Sequence, residues 1–373
     1  MLPEIEASFI GEPNSVPILG GRWKVDASLL GLVRDDDEQD VNRLYASLGW
    51  QRNVTFDLGF VSTFRAHVES SLYNVNDRTG SQDNNDIKGN SSQSRGFGYI
   101  HAETRYPLVK EVNKAKIVIE PVAALTLSPD VEEENIPNED SGDVQIDALG
   151  LLNPSRFPGV DGIEDRSHVT YGLRSGIHGE DGSFGEVFIG QSFRFDEDDN
   201  PFAVGSGLDD QSSDVVGEVK GNYKGKYRLD YRFQMDNENL ASQRHEVDVS
   251  ARINKLQLSS QYLFARAISG QTTDADESRE QIVNAASYFI DDNWRIRGSA
   301  RHDLGDDPGL REAALGIDYT GQCISVSLTG ERTLTDDVSG DNGTEIFLRI
   351  GFKNLGELQT SSGQFNSRNE NRE

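Results

Sequence analysis

Six histidines are the first residues whose type could support chemistry: His67, His101, His168, His178, His245 and His302. An imidazole binds zinc or relays a proton only with a second ligand or an acid–base partner held at short, fixed spacing, as in HExxH. None of the six has such a neighbour in sequence, so structural roles are expected for them. His302-Asp303 would need a distant serine to complete a triad, and the chain contains no GxSxG, no P-loop and no GxGxxG between a strand and a helix. Three acidic runs offer carboxylate oxygens to calcium: Asp35-Asp36-Asp37-Glu38, Glu132-Glu133-Glu134 and Asp196-Glu197-Asp198-Asp199-Asn200. No EF-hand spacing follows any of them, so solvated loops are expected. A single cysteine, Cys323, excludes an internal disulfide framework and a Cys-rich zinc module. The sequence therefore predicts no catalytic residue, no cofactor site and no metal site.

Composition narrows the function further. Sixty-three acidic against 36 basic residues leave a net charge of −27, which repels a duplex and argues against a nucleic-acid partner. Hydrophobic residues make up 35%, a thin supply for a thick two-sided core. The length of 373 residues suits two or three soluble domains or one large β-barrel. No run of 18 apolar residues exists, so helical membrane spans are excluded. The opening MLPEIEASF has neither a basic n-region nor an apolar h-region, so no signal peptide is expected. On that reading the chain is either cytoplasmic or the back part of a longer exported protein.

The elements that carry these residues have a period of two. Tyr227, Leu229, Tyr231 and Phe233 alternate with Arg228, Asp230 and Arg232. Val247, Val249, Ala251 and Ile253 alternate with Asp248, Ser250 and Arg252, and Ile324, Val326 and Leu328 with Ser325, Ser327 and Thr329. Val54, Phe56, Leu58 and Phe60 read the same way. Successive strand side chains point to opposite faces, so each run is a ribbon with one apolar and one polar side. About 17 such strands are expected, and several reach 10–14 residues, the length a tilted membrane strand needs. Tight turns at 223–226, 254–255 and 291–293 interleave with long polar loops at 76–92, 196–212, 269–277 and 335–343. That asymmetry matches an outer-membrane barrel with its long loops outside.

A soluble β-sandwich would also bury one face of each ribbon, but 17 long strands would make it unusually wide. In the barrel reading, a one-residue slip of 227–233 would put Arg228 and Arg232 in hydrocarbon, at ~2–4 kcal/mol each near the midplane. The apolar set therefore faces lipid and the charged set a wet lumen. Trp50, Tyr227, Phe264, Tyr288, Trp294, Tyr319 and Phe352 are candidates for interfacial girdles. The irregular stretch 131–166, with little alternation, is either an external flap or a plug folded into the lumen.

Short motifs in a fixed order then carry a resemblance. They run from Leu2-Pro3-Glu4-Ile5 and Ile119-Glu120-Pro121 to Ile136-Pro137-Asn138-Glu139-Asp140-Ser141 and Gly162-Ile163-Glu164-Asp165-Arg166. Tyr171-Gly172-Leu173-Arg174, Gly190-Gln191 and Ser213-Asp214 follow, and Leu315-Gly316-Ile317-Asp318-Tyr319, Gly330-Glu331-Arg332 and Lys353-Asn354-Leu355-Gly356 end the series. In these the chain resembles the C-terminal barrel part of the LptD family of lipopolysaccharide-assembly proteins, also called the organic solvent tolerance protein family. The resemblance implies an all-β fold, residues 1–354 being an incomplete part of a 26-stranded antiparallel outer-membrane barrel and 355–373 a polar tail. It implies a non-enzymatic role at the cell outer membrane, inserting lipopolysaccharide into the outer leaflet through a lateral gate. The partners it implies are an LptE-type lipoprotein plug, lipopolysaccharide, the periplasmic Lpt bridge through an N-terminal domain missing here, and the barrel-assembly machinery. Ile346, Leu348, Ile350 and Phe352 would lie on the last strand, one side of that gate. Family members carry adjacent cysteines late in the barrel, cross-linked to the N-terminal part. Here Gln322-Cys323 replaces the pair, which implies one disulfide from Cys323 to a residue outside this sequence, or else a lone buried thiol.

A general porin or substrate-specific channel is the alternative function, and the polar tail after Phe352 speaks against it. A barrel hydrolase would need a Ser/His pair at one rim. A β-rich adhesin fragment is the soluble rival.

Overall fold

Alternation of apolar and polar residues builds the whole molecule. The computed structural model describes residues 4–34, 40–76, 91–131, 136–142, 144–196, 200–266, 278–334, 343–353 and 356–362. Within them the chain forms β1 (Ile5–Ile10), β2 (Arg22–Leu32), β3 (Asp40–Thr55), β4 (Val61–Asn76), β5 (Ser91–Arg105), β6 (Leu108–Val112) and β7 (Ala115–Leu127). It continues through β8 (His168–Gly179), β9 (Phe184–Arg194), β10 (Val215–Tyr223), β11 (Tyr227–Met235), β12 (Ser242–Ile253) and β13 (Leu256–Ala265). The last strands are β14 (Arg279–Phe289), β15 (Trp294–Asp303), β16 (Gly309–Thr320), β17 (Ile324–Thr333), β18 (Gly343–Phe352) and β19 (Gly356–Ser362).

All of them join one antiparallel sheet, each strand pairing with its neighbours in the chain. The exception is β6. Ile100–Arg105 of β5 face Val122–Leu127 of β7, while Leu108–Val112 of β6 face Ala115–Ile119 of the same strand. β5 and β6 thus occupy one position in the wall, interrupted at Tyr106-Pro107, where proline has no N–H to give a ladder. Among the described residues β1 and β19 form no ladder with each other, so the sheet is an open wall.

Nineteen segments against about 17 expected reflect this break and the added β19, while the β3–β4 turn shifts a boundary without changing the number. Val54–Phe60, which read as part of one alternating run, contains the β3–β4 turn: the Phe56 amide donates to the Phe60 carbonyl at 2.9 Å, and Gly59 sits at φ 91°. The tail expected after residue 354 supplies β19, which pairs with β18 from Ile346↔Ser362 to Phe352↔Gly356. Tight turns fall where expected. Lys224 (φ 52°) and Gly225 (φ 67°) both adopt the left-handed conformation in the β10–β11 turn, which the Lys226 amide closes onto the Tyr223 carbonyl at 3.0 Å.

The two faces of the wall differ as the period demands. Leu48, Val68, Ile100 and Ile177 are exposed on the outer side, each more than half accessible. Arg43, Tyr73, Arg95 and His168 alternate with such residues and are buried on the inner side. On β11, Arg232 pairs with Glu246 of β12 at 2.8 Å on the inner side, while Tyr227 and Leu229 are exposed on the outer. A sheet whose apolar face is its exposed face suits hydrocarbon as solvent. Buried apolar residues gather where the inner side is covered: Val122, Phe188 and Val216 of the wall meet Ile146, Leu151, Phe202 and Leu208 from the loops.

Candidate functional site

That cover is the stretch between β7 and β8. Its described residues lie against the inner side of the wall. Two anchors hold it, and they differ in physics.

The first anchor is ionic and rests on β2–β5. Arg43 of β3 donates from Nη1 to Asp140 Oδ2 at 2.7 Å and to Asp161 Oδ1 at 2.8 Å. Asp161 also accepts from the Tyr73 hydroxyl of β4 at 2.8 Å and, at Oδ2, from the Glu139 amide at 2.8 Å. Arg95 of β5 donates to the carbonyls of Val160 and Asp161. Beyond β2, Arg34 grips Glu139 with both terminal nitrogens, at 2.5 and 3.2 Å. The strands place these groups by parity alone, since Arg43, Tyr73 and Arg95 all occupy inward positions. Burial pushes the Asp140 carboxyl up, but the amides of Val160 and Asp161 and the Arg43 guanidinium outweigh it and hold the group below its ordinary 3.8. Gly159, at φ 71°, permits this turn: a Cβ there would strike the Asp140 carboxylate and carbonyl.

The second anchor is mainly apolar and rests on β7–β12. Leu151 sits on Gly190 of β9, where any Cβ would collide with it. The Ile146 amide donates to the Ser206 carbonyl at 2.9 Å, tying the stretch to the β9–β10 loop, and the rings of Phe157 and Phe202 stack at 4.7 Å. Arg156 pairs with the buried Glu164 and donates to Ser192 of β9 at 3.2 Å. Glu164 Oε1 lies 3.2 Å from His168 Nδ1. Full burial raises the Glu164 carboxyl above its ordinary value against the pull of Arg156. Gln145 reaches Arg244 of β12 at 3.2 Å.

The residues singled out from sequence are dispersed. The histidines pair locally: His67 with Glu69 at 3.0 Å, His101 with Thr126 at 2.9 Å, His178 with Glu186 at 3.5 Å and His245 with Tyr231 at 2.9 Å. No group of three metal-ligating side chains occurs among the described residues. Asp303, beside His302, faces Arg311 at 3.5 Å rather than a serine. Residues 35–38, 132–134 and 197–199, which make up most of the acidic runs, lie outside the described residues. Cys323 is an exposed free thiol in the β16–β17 turn, which corrects the lone buried thiol. Ile346, Leu348, Ile350 and Phe352 lie on β18, level with Gly330, Leu328, Val326 and Ile324 of β17. β18 is not the edge of the wall, however, because β19 covers its free side. The trio Arg43, Tyr73 and Arg95 escaped sequence reasoning. Its one local signal was an arginine or tyrosine at an inward position opposite a non-alternating segment.

An antiparallel wall with an apolar exterior, a charged interior and a segment pinned across that interior is consistent with part of a large β-barrel. The family model described as LptD, LPS transport system D, matches residues 1–320, and the chain belongs to that family. It is 24% identical over 362 residues to the LPS-assembly protein LptD of Alcanivorax borkumensis, covering 94% of this chain and 45% of that protein. With the namesake of Acinetobacter baumannii it shares 25% identity over 246 residues, 64% of this chain and 29% of the relative. With that of Pseudoalteromonas atlantica it shares 24% over 300 residues, 78% and 38%. The chain thus spans less than half the length of these relatives.

Proposed function

We propose that this chain is the C-terminal barrel portion of a lipopolysaccharide translocon at the outer membrane, working without catalysis. The observation that carries the reading is the inner segment 136–166 docked on a charged wall whose other face is apolar. An amphipath that slides sideways needs a polar compartment for its sugars, an apolar exterior for its acyl chains and a seam between strands. The C-terminal end of the wall, β19 laid beside β18 with its Ile346, Leu348, Ile350 and Phe352, forms one side of that lateral gate in this reading. An LptE-type lipoprotein, the periplasmic Lpt bridge and the barrel-assembly machinery are its proposed partners, and Cys323 the proposed site of a disulfide to the part of the protein not present here.

The test is depletion of the full-length protein in its host. Newly made lipopolysaccharide should then disappear from the cell surface, and a plasmid copy should restore it. Unchanged surface lipopolysaccharide, together with solute-selective conductance of the purified protein in planar bilayers, would establish the channel reading instead.

A further inference from the structure

The inner side of the wall carries a second feature, below the docked segment and toward the short-turn rim. Four inward residues stand level across neighbouring strands: Arg22 on β2, Gln51 on β3, Arg65 on β4 and His101 on β5. The next row reads Lys24, Gly49, His67 and Tyr99 on the same strands. Gly49 leaves its place in that row without a side chain, so a pocket of about 450 Å³ opens there, within the range that small-molecule sites occupy.

The chemistry around the gap is specific. Arg22 and Arg65 make no ion pair or side-chain hydrogen bond among the described residues. Lys24 is paired with Asp26 at 2.9 Å. Three cations against one carboxylate give this pocket a local charge of about +2 in a chain of −27. His67 is fixed from both sides: Nε2 lies 3.0 Å from Glu69, and its ring stacks on Tyr99 with centroids 5.1 Å apart. With Nε2 directed at Glu69, Nδ1 is the ring nitrogen left for a ligand. That atom faces the Gly49 gap, 3.9 Å from where a Cβ would stand. Guanidinium groups suit a phosphate's planar pairs of oxygens, and an imidazole nitrogen hydrogen-bonds a hydroxyl, which can both donate and accept.

The geometry points to a binding site for a phosphorylated sugar at Arg22, Arg65 and His67, with the phosphate on the arginines and a ring hydroxyl on His67. The site stands on its local chemistry, and rests on the transport reading only for whether the sugar arrives free or as a lipid headgroup.

Isothermal titration of the full chain in neutral detergent micelles tests this, with glucose 1-phosphate as probe and glucose and inorganic phosphate as comparisons. Saturable binding of glucose 1-phosphate, at least tenfold tighter than either comparison, is expected. Arg65→Gln and Arg22→Gln should each weaken it about tenfold, whereas Arg228→Gln, which removes an inward cation from β11, should not. Arg22 lies near the exposed rim, so its variant serves if Arg65→Gln fails to fold. Tighter binding of a phosphorylated glycolipid in mixed micelles identifies the lipid headgroup as the source, and equal binding identifies the free sugar. No saturable binding of either probe, or binding that both arginine variants leave intact, overturns the site. Surface lipopolysaccharide in cells carrying those variants in the full-length protein is a separate readout. Normal export without binding removes the pocket and keeps the transport reading.

Discussion

Arg43 is held almost fully out of water, and three carboxylates make that tolerable: Asp140 and Asp161 at Nη1, and Glu4 at Nη2, 3.3 Å away. Removing one member of a buried pair leaves an uncompensated charge, at about 3–5 kcal/mol. Arg43→Ala should therefore lower the urea midpoint of the refolded chain by that order, since the Asp161 side chain is wholly buried beneath it. Arg43→Met with Asp161→Asn should recover part of the loss, because the amide removes the unpaired buried charge and still accepts from the Tyr73 hydroxyl. An unchanged midpoint for Arg43→Ala would mean that the contact does not hold the segment. Two carboxylates of the same segment should respond to acid with opposite signs. Asp140, held below 3.8, contributes stability that is present above that pH and is lost as pH falls through its depressed folded value. Glu164, raised above 4.5 by burial, contributes stability that is full below that pH and is lost as pH rises through its elevated folded value. Urea midpoints between about pH 3 and pH 8 separate them. Asp140→Asn should flatten the fall on the acid side, and Glu164→Gln should remove the loss on the rising side. Parallel curves for all three proteins would contradict both assignments.

Strands obey a rule that is local, and this decides what was readable in advance. The two faces of β11 follow from seven consecutive residues, and the wall confirms their sides. A charge forced onto the outer face should cost about 2–4 kcal/mol near the bilayer midplane. Tyr231→Arg, in the middle of β11, is expected to lose that much in refolding into vesicles, while Arg228→Leu, on the inner side, should cost far less. Equal penalties would mean that the outer face does not meet lipid. The docked segment was legible as irregular but not as docked, because Asp140 and Asp161 stand 97 and 118 residues from Arg43. No window of sequence contains both ends of such a contact. The turn at Gly59 hid behind apolar residues that alternate through it, and β19 was missed because GELQTSS has no apolar alternation. Its place comes from the open ladder of β18, not from its own composition. Gly159 joins the scales: a Cβ would displace Asp140, so Gly159→Ala should expose residues 136–166 to protease while the strands stay protected.

Among the described residues the wall has eighteen positions and two edges without a ladder partner, β1 and β19. An exposed edge is a row of free N–H and C=O groups that templates pairing with another chain. β1 is a strong template, since all six of its residues are exposed and Ile5 and Phe9 are apolar. The charge of −27 opposes such pairing by holding copies apart. Which effect dominates depends on screening, for the Debye length falls from about 30 Å at 0.01 M salt to about 3 Å at 1 M. In neutral detergent the chain is therefore expected to be monomeric at the lower ionic strength and to associate at the higher, read by multi-angle light scattering. Buried contacts such as Arg43 with Asp161 are screened far less, so the docked segment should keep its protease resistance across the same range. A chain that stays monomeric at both salts would instead have closed β1 onto β19.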